Sequence, residues 1–277
     1  MAIQQNSSTI ATTPPMDFPQ DSNFSVWLYR HRSGLLGSCS IIAILAAWQI
    51  CASTGLVQEG FSSSPWLVAK ALGSLVTTGH LFEILDPTLV TLGWGLLIAI
   101  VVGVPLGLLI GRSQTLHYLT QPVINILYSV PYVTFLPVLI LWFGIGIDSR
   151  VVVVIWSAIM PIIINTRAGG RVLDRDYQRV SAVFCASRTK AFFKVALPAA
   201  VPYILAGLRL AIAQGLIGTI VAEFFLGSEG IGYYVQSQTS LFDMNNAIAA
   251  ICLLIVIAFI LNWIITRVES RFAHWSS

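Results

Sequence analysis

DRDYQRVSAVFCASRTKAFFKVALPAAVP, residues 174–202, decides how this chain is read. It is the longest interior run without membrane character, and apolar segments flank it on both sides. It carries Arg175, Arg179, Arg188, Lys190 and Lys194. Tyr177, Val180 and Phe184 recur at helical spacing and share one face. Cys185, Ala186 and Ser187 form a small-residue break before a second short helix, and Pro198 and Pro202 end the helical reading. Two readings follow: a basic loop held to anionic headgroups, or a structured projection that docks a cytosolic protein. The two-part build favours docking.

Composition sets the surroundings. Of 277 residues, 56% are hydrophobic and only 10% charged, and mean hydropathy is +0.80. A soluble domain carries about 25% charged residues, so this is an integral membrane protein. The net charge of +3 is too small to argue for nucleic acid. Cys39, Cys51, Cys185 and Cys252 form no CxxC pair and read as small apolar residues, with no disulfide or metal framework.

Residues 1–32 read as a disordered, basic tail, 33–272 as a transmembrane domain and 273–277 as a second tail. Six spans are expected near 34–52, 88–111, 119–143, 151–166, 203–226 and 247–266. The first also fits a signal peptide cleaved near Ala52, but its length and late start favour an uncleaved span. Leu67, Ala71, Leu72 and Leu75 suggest an amphipathic helix along the interface. Gly93, Gly95, Gly103, Gly107 and Pro105 suit close helix packing. The third span holds Pro122, Pro131 and Pro137, which makes it a kinked helix, buried in a bundle or lining a pathway. Residues 227–246 read as a polar loop.

The distribution of Lys and Arg orients the spans. With the N-terminus inside, twelve basic residues fall on the cytoplasmic side and only Lys70 and Arg150 outside. Both termini and the 174–202 stretch are then cytoplasmic. No HExxH, GxSxG or Walker phosphate loop occurs, and the four histidines are scattered over both faces, so neither a catalytic set nor a metal cluster is expected. Any uphill movement must draw energy from a partner or an ion gradient. Candidate pathway residues are Asn125, Pro131, Pro137, Asn165, Arg209, Gln214 and Glu223. Their bland reading is interhelical bonding, with Arg209 snorkelling and Glu223 in the headgroup region.

The polar stretch resembles the cytoplasmic coupling loop of ABC importer permeases, E-A-A, three residues, Gly, nine residues, I-x-L-P. Arg179-Val180-Ser181 falls on E-A-A, Cys185 on the Gly and Val195-Ala196-Leu197-Pro198 on I-x-L-P, so the Glu and the Gly are both replaced. LPVLILWFGIG (136–146), PIIINTRAGGR (161–171), LPAAVPYILAGLRLAIAQGLIGTIVAEFF (197–225) and GIGYYV (230–235) are similar to the nitrate/sulfonate/taurine/bicarbonate subfamily, with its MetI-like, type I importer fold.

The resemblance implies an all-α permease of six spans in the bacterial inner membrane, without catalytic activity or a bound cofactor of its own. It implies a second permease copy, most simply an identical one. It also implies cytosolic ABC ATPases that carry ATP and Mg, and a periplasmic or lipid-anchored binding protein. Tyr177, Phe184, Cys185, Ala186, Ser187, Arg188, Lys190, Phe192, Phe193, Lys194 and Pro198 are then the ATPase-docking set. A gradient-driven transporter or channel is the rival, and it calls for intramembrane carboxylates, of which Glu223 is the one candidate.

Overall fold

The computed structural model describes residues 23–54, 63–183, 194 and 197–272, with side-chain surroundings for these except 23–35, 172–183 and 272. All regular structure among them is helical. The first unit holds one helix, α1 (Asn23–Ser53), with an apolar window Leu36–Ser53 long enough to cross a bilayer. The second unit holds α2 (Pro65–Thr77), α3 (His80–Arg112), α4 (Gln114–Ser129), α5 (Leu136–Phe143), α6 (Ile147–Val183), α7 (Leu197–Leu226), α8 (Ile231–Ser240) and α9 (Met244–Phe272).

Local chemistry sets these boundaries. The Ser64 hydroxyl caps α2 by accepting from the Leu67 amide at 3.3 Å, and Pro65 takes the first turn, where no amide donor is needed. The face α2 buries is Val68, Ala71 and Leu75, packed on α9, while Leu67 stays exposed. That corrects the expected face by one residue: Val68 replaces Leu67 at its head.

The core is the trio α3, α6 and α7. Ala99, Ala158, Ile162 and Ala211 meet at its centre with no accessible surface. On α3 the small residues Gly95, Ala99, Gly103, Gly107 and Gly111 recur every four positions, all buried. They form one stripe that lets α6 approach at backbone distance. A Cβ on Gly107 would lie 2.7 Å from the Thr166 Cβ, and one on Gly111 would lie 2.5 Å from the Arg167 carbonyl oxygen. Gly93, expected in this set, faces open space, because a residue two positions from Gly95 cannot share its side of a helix.

The third span is broken rather than kinked. α4 and α5 meet at 82°. Pro131 has no amide hydrogen and pushes Val130 into extended backbone (φ −81°, ψ 123°), so α4 closes with the Val130 amide on the Ile126 carbonyl at 3.1 Å. A 3-10 turn, Tyr132–Phe135, redirects the chain, and Pro137 sits in the first turn of α5.

Three further boundaries differ from expectation. The helix that carries the fourth span is longer than the expected span 151–166: α6 runs unbroken from Ile147 to Val183, about 55 Å at 1.5 Å per residue. The polar turn in the sequence marks a change of solvent, and the backbone bonds continue through it. α7 begins at Leu197, upstream of the expected start near 203, and so contains Pro198 and Pro202, Pro198 in its first turn, where a missing amide donor costs nothing. The polar loop after α7 contains the ten-residue helix α8.

Candidate functional site

The strongest polar construction in the described residues lies where α7 turns into α8. Glu223, fully buried near the end of α7, accepts the Gly232 amide on Oε2 at 2.7 Å. Thr88 of α3, also fully buried, accepts the Ile231 amide on its hydroxyl at 2.9 Å. The first two amide donors of α8, left without intrahelical partners, are thus capped by side chains from two different helices. α6 adds the third tie. Arg150, 2% exposed, donates from Nη2 to the Glu229 carboxylate at 2.8 Å, from Nη1 to the Glu229 carbonyl at 3.2 Å and from Nε to the Gly146 carbonyl at 3.3 Å.

The glycines of the connecting turn are required. Gly230 has φ 101°, and a Cβ there would strike the Glu223 carboxyl. Glu223 Oε1 has no hydrogen-bond partner. The segment GSEGIG is therefore keyed to all three core helices. The sequence singles out Glu223 alone. Arg150 and Glu229 are 79 residues apart, and no local pattern links them.

Of the pathway candidates, Pro131 and Gln214 come together. They line one cleft of about 360 Å³ at the α4–α5 bend, with Leu127, Tyr128, Tyr132, Trp156, Ser157 and Pro161 among the other walls. Asn125 is exposed on α4 and its Oδ1 accepts from Gln121 Nε2 at 2.7 Å, while Gln121 Oε1 accepts from Arg167 at 2.5 Å. Pro137 is exposed at the start of α5. Asn165 donates to the Pro161 carbonyl at 2.8 Å and its Cβ packs by Gly207. Glu223 is enclosed in the cap just described. Arg209 forms an ion pair with Glu269 of α9 and donates to the Thr266 hydroxyl at 3.0 Å. Glu269 is a partner that the sequence reading did not supply.

Of the docking candidates, Phe184, Cys185, Ala186, Ser187, Arg188, Lys190, Phe192 and Phe193 lie outside the described residues. Tyr177 lies on the far end of α6, Lys194 is exposed, and Pro198 is half-buried in the first turn of α7. No three His, Cys, Asp or Glu side chains converge on a metal-sized site among the described residues.

Comparison with known proteins bears on this arrangement. Residues 103–274 match the family described as binding-protein-dependent transport system inner membrane component. A nitrate import permease of Synechocystis is 30% identical over 237 residues, covering 83% of this chain and 86% of the relative. An aliphatic sulfonates transport permease of Bacillus subtilis, itself named as putative, is 29% identical over 89% of this chain and 88% of its own. The taurine transport system permease of Escherichia coli is 27% identical over 85% and 88%. Among solved structures, an inward-facing conformation of the MetNI methionine ABC transporter superposes with TM-score 0.59 over 75% of this chain and 96% of that one. At 17% identity it speaks for the fold.

Proposed function

The chain belongs to the family of binding-protein-dependent transport system inner membrane components, and from that premise we propose that it forms the pathway for a small oxyanion or organic solute of the sulfonate, taurine, nitrate or bicarbonate type. It is a multi-pass inner-membrane permease subunit of an ABC importer, and ATP hydrolysis belongs to a separate partner chain. Relatives that carry several such solutes support the substrate class.

The observation that carries the coupling reading is the continuity of α6. One unbroken helix bears Arg150 at its first turn, the cleft residues Trp156 and Ser157 in its middle, and the start of the polar docking stretch at its far end. A displacement at the docking end is passed along a rigid rod packed on α3 and α7 to the clamp on α8. In this reading the ATPase takes the segment near Ala186–Lys194 in a surface groove, and ATP-driven closure of the ATPases moves α6. The pathway then opens toward the binding protein at the Glu229 end. The charge asymmetry of the sequence supports a cytoplasmic side for both termini and the docking stretch in this reading.

A second copy of the chain closes the pathway. Gln214 is exposed midway along α7, beside exposed Leu210 and Ile217. A bare amide facing lipid costs about 1–3 kcal/mol, so this face meets water or protein. A second copy across the cleft supplies both.

The test is assembly with the cognate ATPase in nanodiscs after the triple change Arg188→Glu, Lys190→Glu, Phe192→Asp. Loss of the ATPase on purification, or at least a tenfold drop in ATPase stimulation by the loaded binding protein, is expected. Phe192 is expected to dominate, because exposed ion pairs contribute about 0–1 kcal/mol and buried aromatic anchors about 2 kcal/mol or more. Full assembly and stimulation would sink the docking assignment.

Arg209 has a separate prediction. Because Glu269 neutralises it within the chain, Arg209→Ala is expected to leave uptake within about twofold of the parent and to cost about 1 kcal/mol or less. A tenfold loss of anion uptake that Glu269→Ala does not reproduce would instead assign the guanidinium to the substrate.

A further inference from the structure

The cleft at the α4–α5 bend has a chemistry of its own. It is walled by apolar Leu127, Val130, Pro131, Met160 and Pro161, and no Asp, Glu, Lys, Arg or His lines it. Its two serines are not free to donate: Ser129 gives its hydroxyl proton to the Asn125 carbonyl at 2.8 Å, and Ser157 gives its own to the Val154 carbonyl at 2.9 Å. The remaining polar groups are Tyr128, Tyr132, Trp156 and Gln214, whose O–H and N–H donors have no hydrogen-bond partner among the described residues. Trp156 is held by stacking on Phe135, ring centroids 4.8 Å apart. Two phenols, an indole and an amide thus surround one space with donors that the chain itself leaves unused.

We propose that this cleft is a substrate subsite in which a small oxyanion is held by neutral hydrogen-bond donors alone, with Gln214 and Tyr132 setting which anion passes. The proposal rests on the pathway reading above and names its substrate-contacting residues. The volume, about 360 Å³, is at the small end of ligand pockets. Donors that the chain leaves unpaired are open to an acceptor, and an oxyanion brings acceptors without competing donors. The absence of a carboxylate disfavours a cation. The absence of a fixed positive charge serves transport, because an Arg at low dielectric would hold the anion too strongly to release it.

The experiment uses the complete transporter, this permease with its ATPase and binding protein, in proteoliposomes. ATP-driven uptake of a labelled alkanesulfonate, nitrate and bicarbonate is measured separately. Three variants keep side-chain volume nearly constant: Gln214→Leu, Gln214→Glu and Tyr132→Phe. Co-purification of the ATPase reports that each is assembled. Gln214→Leu is expected to cut uptake of the transported anion at least fivefold, and Gln214→Glu to cut it further by opposing the anion. Tyr132→Phe is expected to shift the ratio between two transported anions by threefold or more, which a merely structural role would not do. Assembled variants with parental rates and ratios would overturn the subsite and leave the importer reading standing. A parental complex that moves none of the three anions would overturn the substrate class and the subsite with it.

Discussion

Gly111→Ala is expected to lower the thermal midpoint of the purified protein by about 5 °C or more and to cut its yield in membranes, whereas Gly93→Ala is expected to be neutral. The two glycines lie on the same helix and differ in what a single methyl group meets. At Gly111 it would fall 2.5 Å from the Arg167 carbonyl oxygen and 2.8 Å from the Gly170 Cα. Both are backbone atoms of α6, so no rotamer change relieves the clash and the helices themselves must separate. Gly170 reciprocates: a Cβ there would lie 3.0 Å from the Gly111 Cα.

Overpacking of this kind costs roughly 1–3 kcal/mol, and about 1 kcal/mol moves the midpoint of a domain of this size by some 2–4 °C. In a bilayer the loss is not confined to one contact. Helix association there depends on close van der Waals packing with no water to expel, so the whole α3–α6 seam loosens. At Gly93 the added methyl meets nothing within 4 Å, and alanine favours the helix. Equal midpoints for Gly111→Ala and the parent would show that the crossing is not as close as described.

The contrast between these glycines also shows where the sequence is readable. A small residue every fourth position is a one-helix pattern, and Gly95, Gly103 and Gly107 were legible from it without any knowledge of what they pack against. Gly93 and Pro105 were out of phase with the buried stripe, and Ala99 and Gly111, which complete it, were not named from the sequence. The all-helical class and the presence of five to six apolar spans were legible for the same reason: hydropathy is a local property, and the bilayer imposes it on each segment independently.

Boundaries were harder. The polar residues after Thr166 and the prolines near 200 each looked like an end, yet α6 continues and α7 begins upstream. Polarity reports the solvent around a helix. Pro198 sits in a first turn, where no amide donor is needed, and Pro202 is carried inside a helix buried in the bundle. The clamp and the cleft were least legible. Arg150 and Glu229 pair across 79 residues, and Tyr132, Trp156 and Gln214 come from three separate elements. Glu223 and Gln214 stood out because a polar side chain inside a span always does, but their partners are products of the fold.

Glu223→Ala is expected to be the most damaging single change at the Glu229 end of the bundle, and Glu223→Gln among the mildest. The carboxyl has no accessible surface and holds the Gly232 amide at 2.7 Å. Truncation leaves that amide buried without an acceptor, at roughly 1–3 kcal/mol, and opens a cavity where the side chain stood, which adds about 2 kcal/mol. Nothing nearby collapses into the gap cheaply, because Gly230 and Gly232 enclose the side chain and carry none of their own.

The glutamine variant preserves both shape and acceptor. Its carbonyl can take the Gly232 amide, so the cost is confined to an amino group placed where Glu223 Oε1 has no partner among the described residues, about 1 kcal/mol. Loss of a few degrees at most is expected for Gln, against ten or so for Ala. The functional consequence follows from what the cap holds. With Glu223 gone, the polar ties left at the start of α8 are Thr88 and, through Glu229, Arg150. The first turn of α8 is then no longer fixed to the end of α7, so α8 follows α7 less closely when the bundle moves. Transport per ATP hydrolysed by the assembled complex is therefore expected to fall about tenfold for Ala and to stay within about twofold for Gln. Matched melting and uptake for Ala and the parent would show that α8 is positioned without this carboxyl. Equal damage from Ala and Gln would show that its charge, rather than its shape and acceptor, is what the fold requires.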